Sequence, residues 1–124
     1  MGIQIKRIYE PPTPEDGSRI LIDRVWPRGI SKEQACIDLW LKEAAPSPEL
    51  RKWFNHKPER FEAFRSRYEE ELASDPVCCE AVKWLYEAAV DRYVTLLFAA
   101  KDTQHNHAVV LRDWVARKIN ARNK

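Results

Sequence analysis

The sequence predicts an α/β fold: a single compact domain, residues 1–124, in which a small, mainly parallel sheet is flanked by helices. The first observation is the apolar run VTLLFAA over residues 94–100, whose β-branched and bulky side chains are typical of a strand covered on both faces. The second is the alternation of strand-like segments with segments of helical periodicity. The third is the length, because 124 residues fit one domain with a substantial core.

The composition is that of an ordinary globular protein. With 44% hydrophobic and 32% charged residues, it excludes the disordered, coiled-coil and fibrous classes. A net charge of +2 does not indicate a dedicated nucleic-acid-binding protein. The N-terminus lacks the apolar segment of a secretory signal, and no apolar run approaches the roughly 20 residues that cross a bilayer, so we expect a cytosolic protein without a membrane partner. Three cysteines without a Cys-x-x-Cys pair are typical of core thiols.

Two strands are predicted in the first 30 residues. Apolar side chains alternate loosely over residues 3–9, which indicates a half-covered strand at the edge of the sheet. A proline-rich loop over residues 11–17 follows, because proline cannot continue a hydrogen-bonded ladder. The second strand is predicted over residues 19–25, around the apolar triplet ILI, and the turn WPRG ends it.

Residues 31–44 have two interpretations. Ser31 and Gln34 have the spacing of a capping box, which predicts a single helical turn over residues 31–35. Apolar and polar residues then alternate over residues 37–41, which favours a third strand, although a helix continuing to residue 44 fits the same residues. Periodicity alone does not decide between the two.

Four helices are predicted after residue 46. The first begins at Ser47, where a hydroxyl cap precedes a proline whose missing N–H is harmless, and Asp75 begins the third in the same way. The second begins at Pro58. The later three helices share an apolar stripe at spacings of three and four residues, which is typical of one buried face. The stripes comprise Phe61, Phe64, Tyr68 and Leu72, then Ala81, Val82, Leu85, Tyr86 and Ala89, and finally Ala108, Leu111, Val115 and Ile119.

Three predicted strands are followed by clusters of polar residues. Because the carboxyl ends of parallel strands share one edge of a sheet, where loops lead into helix N-termini, we expect these clusters to meet in one cleft. The clusters comprise Asp23, Arg24 and Arg28 after the second strand, Lys42 and Ser47 after the third, and Asp102, His105 and His107 after the last. The sequence thus predicts where a functional site lies, and it specifies neither a substrate nor a cofactor.

Three long segments carry a family resemblance: ILIDRVWPRGISK, DLWLKEAAPSPELRKWF and VTLLFAAKDTQHNHAVVL. They resemble the YeaO-like branch of the bacterial family catalogued as domain of unknown function 488, over nearly the whole chain. The resemblance implies a compact α/β domain with a mainly parallel sheet, and no established activity. Other branches place a Cys-His-Arg run where Asn106, His107 and Ala108 stand here, and often a further Cys near Phe98. Since this chain retains His107 alone, the resemblance does not extend to thiol chemistry.

The arginines after the second strand suit the capture of an anion. Arg24 and Arg28 flank a Trp-Pro turn that stiffens the loop, and a guanidinium group binds phosphate or carboxylate through paired hydrogen bonds. The alternative is an internal salt bridge, in which Asp23 or Asp38 is the partner.

Two further cations are candidates for the same anion site. Lys42 precedes the helix capped by Ser47, whose free backbone donors would reinforce anion binding, and Arg51 lies one turn into that helix. His105, in the last polar cluster, is a further candidate for binding the anionic substrate. The alternative for both cations is an ordinary solvated surface.

The last polar cluster has three interpretations. His105 and His107 with Asp102 have ligand types suited to zinc, but side chains two residues apart diverge on a helix, so we predict no metal site. His107 oriented by Asp102 suits acid–base catalysis near neutral pH. Alternatively, Asp102 caps the last helix while His107 bonds within the fold. Trp26 and Trp40, near the cleft, either pack in the core or stack on a base.

Three classes of function therefore fit the sequence. The first is a small enzyme acting on a phosphate-bearing or other anionic substrate, with Arg24, Arg28 and Lys42 holding charge and His107 with Asp102 moving a proton. The second is a non-catalytic module that binds a nucleotide or nucleic acid with the same cations. The third is a regulatory or interaction protein that uses an exposed apolar patch.

Overall fold

The computed structural model describes residues 2–122, which contain four strands that all run parallel in one sheet. The strands are β1 (Gly2–Arg7), β2 (Ser18–Leu21), β3 (Leu39–Trp40) and β4 (Tyr93–Phe98), in the order β1-β4-β2-β3. The helices are α1 (Lys32–Ala35), α2 (Pro48–Phe54), α3 (Phe61–Ser74), α4 (Pro76–Asp91) and α5 (His107–Arg122). The predicted α/β class with a mainly parallel sheet is confirmed.

The central strand is β4, which pairs with β1 on one side and β2 on the other. Its residues 94–98 are all buried, as expected of a strand covered on both faces. β1 lies at the edge of the sheet, as its loose alternation predicted. None of the helices in residues 2–122 has the length and apolar character needed to span a bilayer.

The two faces of the sheet have cores of different size. Alternate residues of β4 point to opposite faces, so Leu96 and Phe98 join the larger cluster with the helices α2 to α5. Leu97 joins a smaller cluster with Leu21 and Ala35, against which the rings of two tryptophans pack. The apolar stripes predicted for the later helices face the larger core.

β2 and β4 end earlier than the apolar runs predicted, at Leu21 and Phe98. The last ladder bond joins the Ile22 N–H to the Leu97 carbonyl at 3.1 Å. Beyond it, the Ala99 N–H donates to the side chain of Asp23, at 3.1 Å from Oδ2. The Asp23 carboxylate thus takes the place of a backbone carbonyl as the acceptor, and the β2 and β4 segments separate beyond this point.

The structure decides between the two interpretations of residues 31–44. The capping box is confirmed, with Ser31 Oγ accepting the Gln34 N–H at 3.1 Å. α1 ends there because Cys36 adopts the left-handed conformation with φ 49°. The strand interpretation is confirmed only for Leu39–Trp40, since the 3₁₀ turn Lys42–Ala44 follows at once. Cys36 is exposed, so the expectation of three core thiols is wrong for this residue.

The predicted helix starts are also confirmed, with one shift. Ser47 Oγ caps α2 by accepting the Leu50 N–H at 3.2 Å, and Asp75 Oδ1 caps α4 by accepting the Val77 N–H at 2.9 Å. The helix predicted from Pro58 instead begins with a 3₁₀ turn, and α3 proper follows it.

A buried ion cluster lies at the amino end of β2. Arg19 Nη1 is 2.6 Å from Asp16 Oδ2, and Lys6 Nζ is 3.1 Å from Asp16 Oδ1. Arg19 Nη2 also donates to the Ala35 carbonyl at 2.8 Å, which closes the end of α1. Burial raises the pKa of Asp16, but the Thr13 N–H and the two cations outweigh it and lower that pKa to about 2. The cluster therefore joins β1, β2 and α1.

Candidate functional site

An imidazole and a carboxylate meet at the carboxyl edge of the sheet. His107, the first residue of α5, has its Nε2 3.0 Å from Oδ1 of Asp23, which follows β2. The same nitrogen is 3.1 Å from the Ile22 carbonyl oxygen. Because a carbonyl only accepts, this contact assigns the proton to Nε2 and leaves Nδ1 as the basic nitrogen. Nδ1 has no hydrogen-bond partner among residues 2–122, and the His107 side chain is 16% exposed.

Asp23 holds this edge together. Its Oδ2 accepts the Ala99 N–H, and its backbone carbonyl accepts the Trp40 indole N–H at 2.7 Å. Its Oδ1 is buried and accepts no hydrogen bond of good geometry from the described residues. Asp23 thus fixes the loops after β2, β3 and β4, while one of its oxygen atoms faces the imidazole.

Asp102 pairs with His105 instead of with His107. Its Oδ2 is 2.9 Å from His105 Nδ1, and its Oδ1 accepts the N–H groups of Gln104 and His105. The bond from the Gln104 N–H, followed by those from His105, lowers the pKa of Asp102. The His105 ring packs edge-on against Phe61, with 5.3 Å between centroids. The structure therefore separates the two residues that the sequence predicted to share a proton.

The cap of α5 is Asn106, and neither Asp102 nor a histidine has that role. Asn106 Oδ1 accepts the Val109 N–H at 3.1 Å, and its Nδ2 donates to the Asp102 carbonyl at 2.8 Å. The residue is 2% exposed. Among the described residues, no three His, Cys, Asp or Glu side chains gather closely enough to hold a metal ion.

Arg24 lies in a surface pocket of about 330 Å³ at the same edge of the sheet. It is half-buried and forms no ion pair with any described acid. Its Nη2 donates to the carbonyls of Ala45 and Pro46, both at the long distance of 3.3 Å, and its buried Nε has no acceptor among residues 2–122. The internal salt bridge weighed from the sequence is therefore absent from the described part of the chain, since Asp23 and Asp38 bond elsewhere.

An internal carboxylate occupies the start of α2. Glu71 Oε1 accepts the Ser47 N–H at 2.9 Å, and its Oε2 accepts the Ser47 hydroxyl at 2.6 Å. Glu71 comes from the fourth turn of α3, so it joins α2 to α3. Ser47 lines the pocket with Arg24, but the helix donors that the sequence assigned to an anionic ligand serve this carboxylate.

The other predicted cations have different positions. Lys42 is exposed on the pocket rim, with Nζ 5.3 Å from the centroid of the Trp40 ring. Arg28 is exposed outside the pocket, and its carbonyl accepts the Tyr9 hydroxyl at 2.7 Å. Arg51 is exposed on α2 and does not line the pocket either. The structure thus brings together Arg24, Lys42 and Ser47 from the predicted anion site.

The thiol in this pocket is not poised for reaction. Burial, followed by the charges of Asp75 and Glu71, raises the pKa of Cys78 to about 11. A thiolate is the reactive form of cysteine, and this pKa keeps the thiol protonated at neutral pH. Cys78 is therefore a packing residue.

The two tryptophans near the cleft pack in the core. Trp26 and Trp40 form an edge-to-face pair with centroids 5.5 Å apart. Their indole N–H groups donate to the carbonyls of Ile30 and Asp23. Both rings belong to the smaller core cluster, so the packing interpretation accounts for them.

The fold and this edge define a small α/β protein with an all-parallel sheet and a polar site at the carboxyl ends of its strands. A family model described as "Inactive DUF488-N3 subclade" matches residues 2–124, and the chain belongs to that family. It is 46% identical over 115 residues to the uncharacterised protein YeaO of Escherichia coli, covering 93% of this chain and 97% of that protein. It is 41% identical over 109 residues to uncharacterised proteins of Mycobacterium tuberculosis and Mycobacterium bovis, covering 88% of this chain and 89% of each. No solved structure matches it significantly.

Sequence reasoning missed three contacts at or near the candidate site. The predicted cluster included Asp23, but as a partner for arginine instead of His107. Glu71 and Asn106 were not considered as site residues. The sequence does contain a signal for the role of Asn106, because an asparagine directly before a helical apolar pattern is a preferred helix cap. Glu71 had none, since its partner Ser47 lies 24 residues away.

Proposed function

We propose that this protein binds a small anionic ligand, a phosphate or carboxylate, in the pocket that contains Arg24, and that it does so without catalysis. The observation that carries the proposal is the Arg24 side chain: a half-buried guanidinium with no described carboxylate partner and a buried Nε without an acceptor. Buried polar groups in native proteins are almost always bonded, so this donor requires a partner that the described residues do not supply. Lys42 on the rim adds a second positive charge.

The pocket restricts the ligand in size and charge. Its volume of about 330 Å³ is at the lower end of small-molecule sites. Three carboxylates, of Glu43, Glu71 and Asp75, also line it and repel a highly charged ligand. Those of Glu71 and Asp75 already accept hydrogen bonds from the starts of α2 and α4. We therefore expect inorganic phosphate or a small organic acid to bind more tightly than a nucleoside triphosphate.

Three observations favour binding over catalysis. His107 Nε2 and Asp23 Oδ2 bond backbone groups and so join the loops at the sheet edge. Asn106, at the position where the resembling branches carry a cysteine, is a buried helix cap. The description of the matching family model also contains the word "inactive".

Isothermal titration of the protein with inorganic phosphate, and separately with acetate, tests the proposal. Arg24→Gln removes the unpaired charge and keeps a polar side chain, so we expect binding to weaken at least roughly tenfold, since hydrogen bonds to charged groups contribute about 1.5–3 kcal/mol. Arg28→Gln is the matched control, because Arg28 is an exposed arginine outside the pocket. Equal affinities of wild type and Arg24→Gln, or no binding of either anion, would end the proposal.

A second candidate is an enzyme that uses His107 as a general base. It is favoured by the position of Asp23 Oδ1, 3.0 Å from Nε2, and by the absence of a described partner for Nδ1. A carboxylate next to an imidazole orients the ring for proton transfer. A screen of phosphate esters with wild type and His107→Gln distinguishes the two functions. Turnover that requires His107 supports the enzyme, whereas equal or no turnover in both proteins eliminates it.

A further inference from the structure

The net charge of +2 conceals an uneven distribution along the chain. Residues 51–67, which we call the basic segment, contain six lysines and arginines and two glutamates, for a charge of +4. The other 107 residues contain fifteen lysines and arginines and seventeen acids, for a charge of −2. The positive charge is therefore concentrated in the stretch that runs from α2 to the first half of α3.

The cations of the basic segment are directed to solvent. Its lysines and arginines are Arg51, Lys52, Lys57, Arg60, Arg65 and Arg67. Four of the six are exposed, and Arg60 and Arg65 are half-buried. Within the described part of the chain, the one ion pair formed by these six joins Arg65 to Asp113, at 3.4 Å. The other described ion pairs of lysine or arginine lie outside the segment, at Lys6, Arg19, Arg112 and Arg117.

An aromatic ring lies among these unpaired cations. The guanidinium carbons of Arg67 and Arg60 are 4.2 and 5.4 Å from the centroid of the Trp53 ring. Arg60 Nη1 also donates to the Trp53 carbonyl at 2.5 Å, so its position is fixed. Both guanidinium groups contact the Trp53 ring, and no described carboxylate pairs with either of them.

We infer that the basic segment is a binding surface for single-stranded nucleic acid, separate from the Arg24 pocket. The exposed cations of the basic segment, from α2 to the first half of α3, suit the regular negative charge of a phosphate backbone. Guanidinium planes and an indole ring, held together as they are at Trp53, are groups on which unpaired bases stack. An acidic peptide would pair with the cations of the basic segment but would have no use for the Trp53 ring, so nucleic acid fits this surface better.

Fluorescence anisotropy with a labelled twelve-nucleotide oligo-dT and oligo-U tests the inference. We expect binding that weakens with salt, and the slope of log affinity against log salt should fall by about 0.7 for each phosphate contact removed. The test variant is the double substitution Arg60→Gln with Arg67→Gln. Its matched control is Lys32→Gln with Lys83→Gln, which removes the same charge at exposed positions outside the segment.

The inference predicts that the test variant weakens binding by roughly tenfold or more and reduces the salt slope, while the control stays near wild type. Because Arg60 bonds a backbone carbonyl, Arg67→Gln alone is a second variant for which we expect a smaller loss without any loss of fold. Equal losses in test and control, no binding of either strand, or equal binding of a poly-glutamate peptide would overturn the inference. The test variant should bind inorganic phosphate as the wild type does, so failure here and failure of the Arg24 pocket are distinguishable.

Discussion

The two ends of β2 each carry an arginine, and the two side chains have opposite environments. Arg19, at the amino end, is 4% exposed and pairs with Asp16, and it also bonds the carbonyls that end α1. Arg24, five residues later, has long bonds to two carbonyls and a buried Nε without an acceptor in the described residues. The Arg19 guanidinium joins elements of the fold, whereas the Arg24 guanidinium has a buried donor without a described acceptor.

We propose that this difference divides the two arginines between structure and ligand binding. In parallel α/β sheets, ligands bind at the carboxyl ends of the strands, and the unsatisfied arginine lies at that end. Two other polar residues at this edge of the sheet, Asp23 and Asn106, have structural roles. The candidate site is therefore a small pocket at a sheet edge whose other polar residues are hydrogen-bonded within the fold.

The largest effect on stability is expected from a substitution at the amino end of β2. Arg19→Met should lower the free energy of unfolding by about 3–5 kcal/mol, because it leaves the buried carboxylate of Asp16 with a single cation. Urea unfolding measures the loss. The double variant Arg19→Met with Asp16→Asn removes the stranded charge and should be less destabilised than Arg19→Met alone. If both proteins lose the same stability, the ion pair is not what stabilises this end.

The pH dependence of stability also tests the contribution of Asp16 to this end of β2. The pKa of Asp16 is about 2 in the folded protein, below the ordinary 3.8, so folding favours its ionised form. This contribution, about 2 kcal/mol, is present above pH 3.8 and is lost as the pH falls toward 2. Urea unfolding at a series of pH values measures it. In Asp16→Asn the loss over this window should be smaller by that amount, and parallel curves for the two proteins would contradict the assignment.

An intermediate effect is expected at the cap of α5. Asn106→Ala removes the acceptor of the Val109 N–H and should cost about 1 kcal/mol, as cap removal usually does. Thermal unfolding gives the change, and Gln104→Ala, at an exposed position in the same loop, is the control. A cost near zero would mean that the carboxyl edge is less structural than its bonds indicate.

The smallest effect on stability is expected at Arg24. Arg24→Gln breaks two long hydrogen bonds and no described ion pair, so the free energy of unfolding should change by less than about 1 kcal/mol. The same urea series that measures Arg19→Met measures this variant. A loss as large as that of Arg19→Met would show that Arg24 is also a structural residue.

Much of the fold follows from local signals in the sequence. The apolar run of β4, the Ser47-Pro48 and Asp75-Pro76 helix starts and the Ser31 capping box were all predicted correctly, because each depends on neighbours along the chain. The ends of the strands were not predicted correctly, because the ladder beyond β2 is interrupted by a hydrogen bond that Asp23 accepts from Ala99, a residue far away in sequence. Local patterns contain no information about that partner.

Three of the residues predicted for the anion site line one pocket, whereas the predicted pairing of Asp102 with His107 is replaced by a pairing with His105. Convergence at the carboxyl edge correctly brought Arg24, Lys42 and Ser47 into one pocket. The assignment of Asp102 to His107 followed their closeness in sequence, but side chains in a loop and in the first turn of a helix point in different directions. The basic segment, by contrast, is visible in the sequence once charge is counted along the chain as well as in total.

The most direct test of the account is an NMR titration of the arginine side chains with inorganic phosphate. The account predicts that the Nε–H signal of Arg24 shifts and saturates, because that donor has no acceptor among the described residues. The Nε–H signal of Arg19, which already bonds the Ala35 and Cys36 carbonyls, should stay in place. A fixed Arg24 signal, or equal shifts of both, would contradict the claim that the carboxyl end of β2 binds an anion.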